Sequence, residues 1–148
     1  MSTYQQISED IKTAMKSGDK PKLEVLRFVF AGLSGALKEK TAKDPQATLS
    51  DEEVISLLQK EAKRRKESIE LFKQGNRTDL AEKEEAELTY ITAYLPAQMS
   101  RDEIVKIVDG LQAQGFNEFS ALMREASKLT KGKADGKLVA EIVKEKLG

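Results

Sequence analysis

The chain contains neither cysteine nor histidine among its 148 residues. Without cysteine it has no disulfide framework, no thiolate nucleophile and no structural zinc site of the usual kind. Without histidine it has no Ser-His or Cys-His dyad and no imidazole ligand for a metal. Carboxylates remain as candidate Mg²⁺ ligands, and lysine or tyrosine as candidate bases. These absences favour a binding module over a self-sufficient enzyme.

The chain also lacks an excess of charge, because 25 lysine and arginine residues balance 25 aspartate and glutamate residues. Net charge therefore does not attract it to a polyanion, and any nucleic-acid surface must arise from local clustering. The first residues lack the basic stretch and apolar run of a signal peptide, and no apolar run is long enough to span a membrane. We expect a soluble, cytoplasmic protein.

Helical periodicity is what the sequence has in abundance. Charged residues make up 34% of the chain and aromatic residues only 5%, and apolar residues recur three and four positions apart without strand-like alternation. This pattern predicts an all-α fold. Three of the expected helix starts have the spacing of a capping box, in which residue N-cap and residue N3 bond each other. The pairs are Thr3 and Gln6, Ser50 and Glu53, and Ser100 and Glu103, and the first helix is expected to start near Ser2 or Thr3.

The apolar stripes predict which side chains face inward. In the first helix these are Ile7, Ile11 and Met15, and the stripe of the sixth helix begins at Phe119 and ends at Leu129. The second helix contains two glycines, Gly32 and Gly35, which weaken it and favour close packing against a neighbour.

A domain boundary is expected at Pro96, because proline disfavours helical backbone at the residue before it. We predict an N-terminal four-helix domain over residues 1–95 and a C-terminal three-helix bundle over residues 96–148. A bundle of about 50 residues is marginally stable alone, so the two parts are expected to lean on each other.

Arg65 interrupts the apolar stripe of the third helix, and Glu84 interrupts the stripe of the fourth. A helical hairpin would bring the two side chains together as a partly buried ion pair. We interpret this pair as a lock on the helix register. The alternative, an active-site carboxylate, lacks an obvious second acid–base group.

A basic strip occupies residues 60–66 (KEAKRRK), and an acidic run follows at residues 79–87. One interpretation is an antiparallel hairpin with complementary charged faces. The other is a surface for phosphates. The nearby acidic run favours the first.

A second basic stretch covers residues 124–137 (REASKLTKGKADGK) and has a local net charge of +3. Cations near a helix C-terminus are favoured by the helix dipole, which accounts for two of its lysines without any ligand. It does not account for the lysines beyond the helix end. The glycine spacing is wrong for a P-loop, and no strand precedes it. The candidate nucleic-acid-binding residues are Arg124, Lys128, Lys131, Lys133 and Lys137.

Residues 64–96 (RRKESIELFKQGNRTDLAEKEEAELTYITAYLP) and residues 131–136 (KGKADG) together resemble the YqeY family of small bacterial proteins, also called GatB/YqeY-like. The likeness covers nearly the whole chain. The last third is similar to the tail domain of GatB, a subunit of the tRNA-dependent amidotransferase, and that tail helps to hold tRNA. The resemblance implies a four-helix part followed by a three-helix part, and a family label of carbon–nitrogen ligase with glutamine as amide donor.

Two departures limit what the resemblance implies. The catalytic domain of GatB is absent, so no residues for ATP, Mg²⁺ or glutamine are carried over. The GatB tail tends to show Gly-Lys-Ala-Asn-Pro where residues 132–136 read Gly-Lys-Ala-Asp-Gly, and the acidic Asp135 disfavours a phosphate there.

Our leading hypothesis is a non-catalytic accessory module that binds RNA, expected to be tRNA, without a metal or cofactor and without a membrane. The alternative is a helical protein-interaction or scaffolding module that binds no nucleic acid. A third reading, an amidotransferase-like enzyme, requires partner subunits to supply the chemistry. The oligomeric state is left open.

Overall fold

Seven α-helices and no strands make up the structure, a computed structural model that describes residues 1–148. The all-α prediction is confirmed. The helices are α1 (Thr3–Ser17), α2 (Lys20–Lys43), α3 (Asp51–Gln74), α4 (Thr78–Thr92), α5 (Arg101–Ala113), α6 (Phe119–Thr130) and α7 (Gly136–Leu147). None of them is both long enough and apolar enough to cross a membrane.

The chain divides into two units, Met1–Leu95 and Pro96–Gly148. Helices α1 to α4 lie in the first unit and α5 to α7 in the second. Each unit has its own buried aliphatic cluster, and aromatic side chains such as Tyr4 and Phe116 pack only at the margins of these clusters. Burial of these aliphatic side chains is the main favourable term that each unit has for folding.

The first helix begins one residue earlier than its predicted capping box. Ser2 is the N-cap: its hydroxyl accepts from the backbone N–H of Gln5 at 3.2 Å, and the Gln5 side chain accepts from the Ser2 N–H at 3.0 Å. The predicted Thr3–Gln6 pair is wrong because Thr3 is already helical, and its N–H donates to Asp51 Oδ1. Met15 is exposed and Ala14 is buried instead, since the inward stripe runs at spacings of four and three from Ile7.

Helix α2 starts after Asp19, whose carboxylate accepts from the N–H of Lys22, with proline in the first turn. It continues to Lys43. The expectation of close packing at the two glycines is wrong. A Cβ added at Gly32 or at Gly35 would meet nothing within 4 Å.

Helices α3 and α4 form a hairpin and pack against each other more extensively than any other pair. The predicted Ser50–Glu53 capping box is present at the start of α3. Its C-cap is Gly75, and Asn76 follows at φ +58°, a left-handed conformation that asparagine tolerates better than most residues. The short turn reverses the chain, so the basic strip of α3 and the acidic run of α4 belong to neighbouring helices.

In the second unit, α5 begins with the predicted Ser100–Glu103 capping box, and α7 begins after Asp135. The core between its helices contains Leu122, Ala126 and Ile142. Phe119 and Leu129, predicted to lie on the inward stripe of α6, are exposed. The inward face of α6 instead runs through Leu122, Ala126 and Thr130 at four-residue spacing, and Leu129 lies beside that face.

Candidate nucleic-acid interface and ion-pair cluster

Arg65 lies on the face of α3 that packs against α4, and only 10% of its side chain is exposed. The structure brings it to Glu84, with 3.1 Å between Nη1 of Arg65 and Oε2 of Glu84. Two further carboxylates join: Glu61 accepts from Nε at 3.0 Å, and Glu87 accepts from Nη1 at 2.5 Å. One guanidinium thus bridges α3 and α4 through three carboxylates, which we call the Arg65 cluster.

The sequence reasoning missed Glu61 and Glu87. Glu61 precedes Arg65 by four residues and Glu87 follows Glu84 by three, so both lie on the same helix faces as the expected pair. The helical spacing could have identified them. Three acceptors suit a guanidinium, which offers five N–H donors in a planar fork.

The electrostatics of the cluster keep the guanidinium charged. Burial works to lower the pKa of Arg65, but the hydrogen bond to Glu87 and the charges of Glu84 and Glu61 outweigh it and raise that pKa. A permanently protonated group cannot act as a general base. The geometry therefore fits a structural tie between two helices, with no buried side-chain nitrogen or oxygen left unpaired in the protein.

The rest of the basic strip points outward. Lys60, Lys63, Arg64 and Lys66 are all exposed, and Arg64 pairs with Glu61 at 2.8 Å. Along the hairpin, Lys73 of α3 also pairs with Glu85 of α4 at 2.9 Å. Complementary charges therefore join the two helices at Arg65 and Lys73, while Lys60, Lys63 and Lys66 lie on the exposed surface of α3.

The five candidate nucleic-acid-binding side chains are all exposed in the second unit. We call Arg124, Lys128, Lys131, Lys133 and Lys137 the basic cluster. Arg124 and Lys128 are one helical turn apart on α6, Lys131 is its C-cap, and Lys137 lies in the first turn of α7. The cluster thus follows the end of α6, the connection, and the start of α7. Lys128 pairs with Glu125 on the surface at 3.2 Å.

Backbone hydrogen bonds hold the connection between α6 and α7. The carbonyl of Lys133 accepts from the N–H of Met99 at 2.8 Å, and the N–H of Lys133 donates to the carbonyl of Thr130 at 2.8 Å. Gly132 is buried at φ +80°, a conformation that favours glycine. The lysines are therefore carried on a connection of defined shape.

The N-terminus of α7 is occupied by the protein itself. Oδ1 of Asp135 accepts from the backbone N–H of Lys137 at 3.1 Å, so a carboxylate already lies where a phosphate would bind the helix end. Any anion at this surface must be bound by the lysine and arginine side chains. No group of three or more acidic residues has a geometry suited to a metal ion.

The protein is therefore all-α, and each of its two units has a buried aliphatic core and exposed lysine and arginine side chains on its surface. The chain belongs to the Yqey-like protein family, whose model matches residues 4–147. The family assignment suggested by residues 64–96 and 131–136 is confirmed.

The chain is also similar to fungal proteins. It is 35% identical to "Altered inheritance of mitochondria protein 41, mitochondrial" of Pyrenophora tritici-repentis, over 96% of this chain and 79% of the relative. It is 31% identical to an uncharacterized protein of Schizosaccharomyces pombe, over 64% of this chain and 72% of the relative. The relative with the same name from Lachancea thermotolerans is 33% identical to this chain, over 60% of this chain and 46% of the relative.

Proposed function

We propose that this protein is a non-catalytic accessory module that binds RNA, with tRNA as the preferred class, through the basic cluster on α6, α7 and the connection between them. The observation that carries the proposal is the exposure of all five cations over one continuous stretch of α6, its connection and α7. Only two acidic residues, Glu125 and Asp135, share residues 124–137 with them, which leaves a local net charge of +3.

Phosphate contacts account for this arrangement better than stability does. The helix dipole favours cations in the last turn of α6, but Lys133 lies beyond that helix and Lys137 lies in the first turn of α7, where the dipole does not favour a cation. A polyanion would be bound by the lysine and arginine side chains alone, because Asp135 already caps the N-terminus of α7. Since each neutralised phosphate releases counterions, affinity would fall steeply with added salt.

The family resemblance implies a carbon–nitrogen ligase, but we infer that other proteins, and not this chain, form the carbon–nitrogen bond. The Arg65 cluster holds a charged guanidinium among carboxylates rather than an acid–base pair. Amidation that depends on glutamine and ATP should therefore be absent when this chain is the only protein present. Its appearance with the purified chain would refute the non-catalytic role.

A second candidate function is protein interaction or scaffolding without nucleic acid. It is favoured by Phe28, a large aromatic side chain that remains 52% exposed on α2. Retention of the same partners from the native cell before and after RNase treatment would favour this function, whereas loss of the partners after RNase would favour RNA binding.

The direct test is a gel shift of tRNA with the full chain at about 50 mM and about 200 mM salt. We expect binding at low salt that weakens markedly at high salt. Absence of any shift at low salt would rule out the RNA proposal.

We propose the cytoplasm as the location of the chain. Two of the relatives are mitochondrial by name.

A further inference from the structure

An open groove lies between α2 and α3 within the first unit and has a volume of about 250 Å³. We call it the α2–α3 groove. Phe28 and Gly32 line it from α2, Leu57 lines it from α3, and Lys60, Glu61 and Arg64 form its charged side. It belongs to a different unit from the basic cluster.

The apolar part of the groove is incompletely covered by the protein. Phe28 is 52% exposed although it follows the buried Val25 and Leu26 along the same helix. Its ring has the guanidinium carbons of Arg64 and Arg65 at 5.6 Å from the centroid, so cations border the aromatic face. A partner that covered this ring would remove apolar surface from water.

Gly32 has no role in packing within the chain. It lies inside α2, where glycine costs roughly 0.5–1 kcal/mol relative to alanine, and its backbone angle is ordinary. A Cβ at this position would meet nothing within 4 Å. The missing side chain instead keeps the groove open beside Phe28, where another backbone can approach closely.

Charge indicates which partner fits. Lys60 and Arg64 lie on the rim one helical turn apart. Glu61 is the one acidic side chain in the lining, and its oxygens are bonded to Arg64 and Arg65. The rim therefore complements acidic residues placed beside an apolar anchor.

Size argues for a side chain of a larger partner. Pockets that enclose a drug-sized molecule have volumes of about 300–1,000 Å³, above that of this open groove. A groove between two helices suits an amphipathic helix, which inserts apolar side chains at helical spacing. We propose that the α2–α3 groove binds an amphipathic α-helix of a partner protein, with a large apolar residue beside Phe28 and acidic residues against Lys60 and Arg64.

Fluorescence anisotropy with designed peptides tests this site on the full chain. The probe is a labelled peptide of about 20 residues, with leucines on one helical face and glutamates flanking them. One control peptide has the same composition in scrambled order, and another carries lysine in place of glutamate. We expect the designed peptide to bind at least about tenfold more tightly than either control. Equal binding of the three, or no binding of the designed peptide, would overturn the proposal.

Matched variants then locate the contact. Gly32→Leu fills the groove, and Gly110→Leu makes the same change on α5, where a Cβ also meets nothing within 4 Å. We expect the first to weaken peptide binding about tenfold or more and the second to leave it unchanged. Lys60→Glu should weaken it about threefold or more, while Lys106→Glu, another exposed lysine, should not. Equal effects of both members of either pair would contradict the proposed site.

Other occupants give distinguishable results. If Gly32→Leu abolished the tRNA gel shift, the groove would be part of an RNA surface, and the partner-helix proposal would be wrong. If the wild type sedimented as a dimer that Gly32→Leu converted to monomer, a second copy of the chain would be the occupant. A tRNA shift that is unchanged by Gly32→Leu but lost in variants of the basic cluster would keep the two sites independent.

Discussion

The hydroxyl of Tyr94 donates a 2.5 Å hydrogen bond to Oδ2 of Asp10. This bond joins the segment after α4 to α1 across 84 residues of sequence. Burial raises the pKa of Tyr94, and the hydrogen bond to Asp10 and the charge of Asp10 raise it further. Tyr94 therefore ties the C-terminal end of the first unit, which ends at Leu95, to helix α1.

Replacing this tyrosine tests the bond. Tyr94→Phe should lower the free energy of unfolding by about 1 kcal/mol at pH 7, because it removes the donor to Oδ2 of Asp10 and leaves only the Gln6 amide on Oδ1. The pKa in the folded protein is raised, so the contribution of Tyr94 is complete below pH 10.0 and declines as the pH rises. Urea unfolding from about pH 7 to about pH 11 checks both expectations. Tyr90→Phe is the control, and an equal loss in the control would contradict the assignment.

Arg65→Ala should destabilise the first unit by about 3 kcal/mol. The change leaves Glu84 and Glu87 without the Arg65 cation in partly buried positions, and leaves Glu61 paired with Arg64 alone. Arg64→Ala, at a side chain that is 64% exposed, should cost about 0.5 kcal/mol or less. Thermal unfolding followed by circular dichroism gives both values. If Arg65→Ala left the melting temperature unchanged and abolished binding instead, the structural interpretation would be wrong.

Glu53 connects the end of α2 to the start of α3 through a 2.6 Å ion pair with Lys40. The hydrogen bond from Lys40, followed by that from the backbone of Ser50, lowers the pKa of Glu53 below its ordinary value of 4.5. Its contribution to stability is therefore complete above pH 4.5 and is lost as the pH falls through the lowered pKa.

Glu53→Gln should consequently lower the melting temperature at pH 7 and have a shrinking effect at increasingly acidic pH. Glu103→Gln is a matched control, since it alters a second capping box that has no lysine attached. We expect the smaller effect at Glu103. A pH-independent difference between wild type and Glu53→Gln would show that the charge of Glu53 is unimportant.

Two glycines of the second unit should respond in opposite directions to alanine. Gly110 lies within α5 in open space, so Gly110→Ala should stabilise the protein by about 0.5–1 kcal/mol. Gly115 has φ +104°, where an L side chain is strained, so Gly115→Ala should destabilise it by about 1 kcal/mol or more. Chemical denaturation of both variants tests the pair. A gain in stability at Gly115 would contradict the backbone conformation.

Single lysines of the basic cluster should contribute additively to RNA affinity. Lys133→Ala should weaken tRNA binding across sequences and reduce the slope of log affinity against log salt by about one. Lys106→Ala, on the exposed surface of α5, should leave the slope unchanged. Filter binding at several salt concentrations measures both. The same slope in wild type and Lys133→Ala would remove Lys133 from the interface.

Much of the local structure could be predicted because its causes lie a few residues apart. The capping boxes at Ser50 and Ser100 each join residues three positions apart, and a helical stripe repeats every three or four residues. The exposure of two apolar residues of α6 could not be predicted in this way. Phe119 and Leu129 share the apolar spacing of buried residues, but the tertiary structure buries the polar Thr130 and leaves Leu129 exposed.

The sequence by itself determined that the chain is helical and that Arg65 interrupts an apolar stripe. It also determined which cations lie between residues 124 and 137. Only the tertiary structure decided that Arg65 meets Glu61 and Glu87 as well as Glu84, and that Phe28 and Gly32 border an open groove. The physical reason is range. Periodicity and capping act within a helix, whereas a third carboxylate or an uncovered ring depends on where separate helices meet.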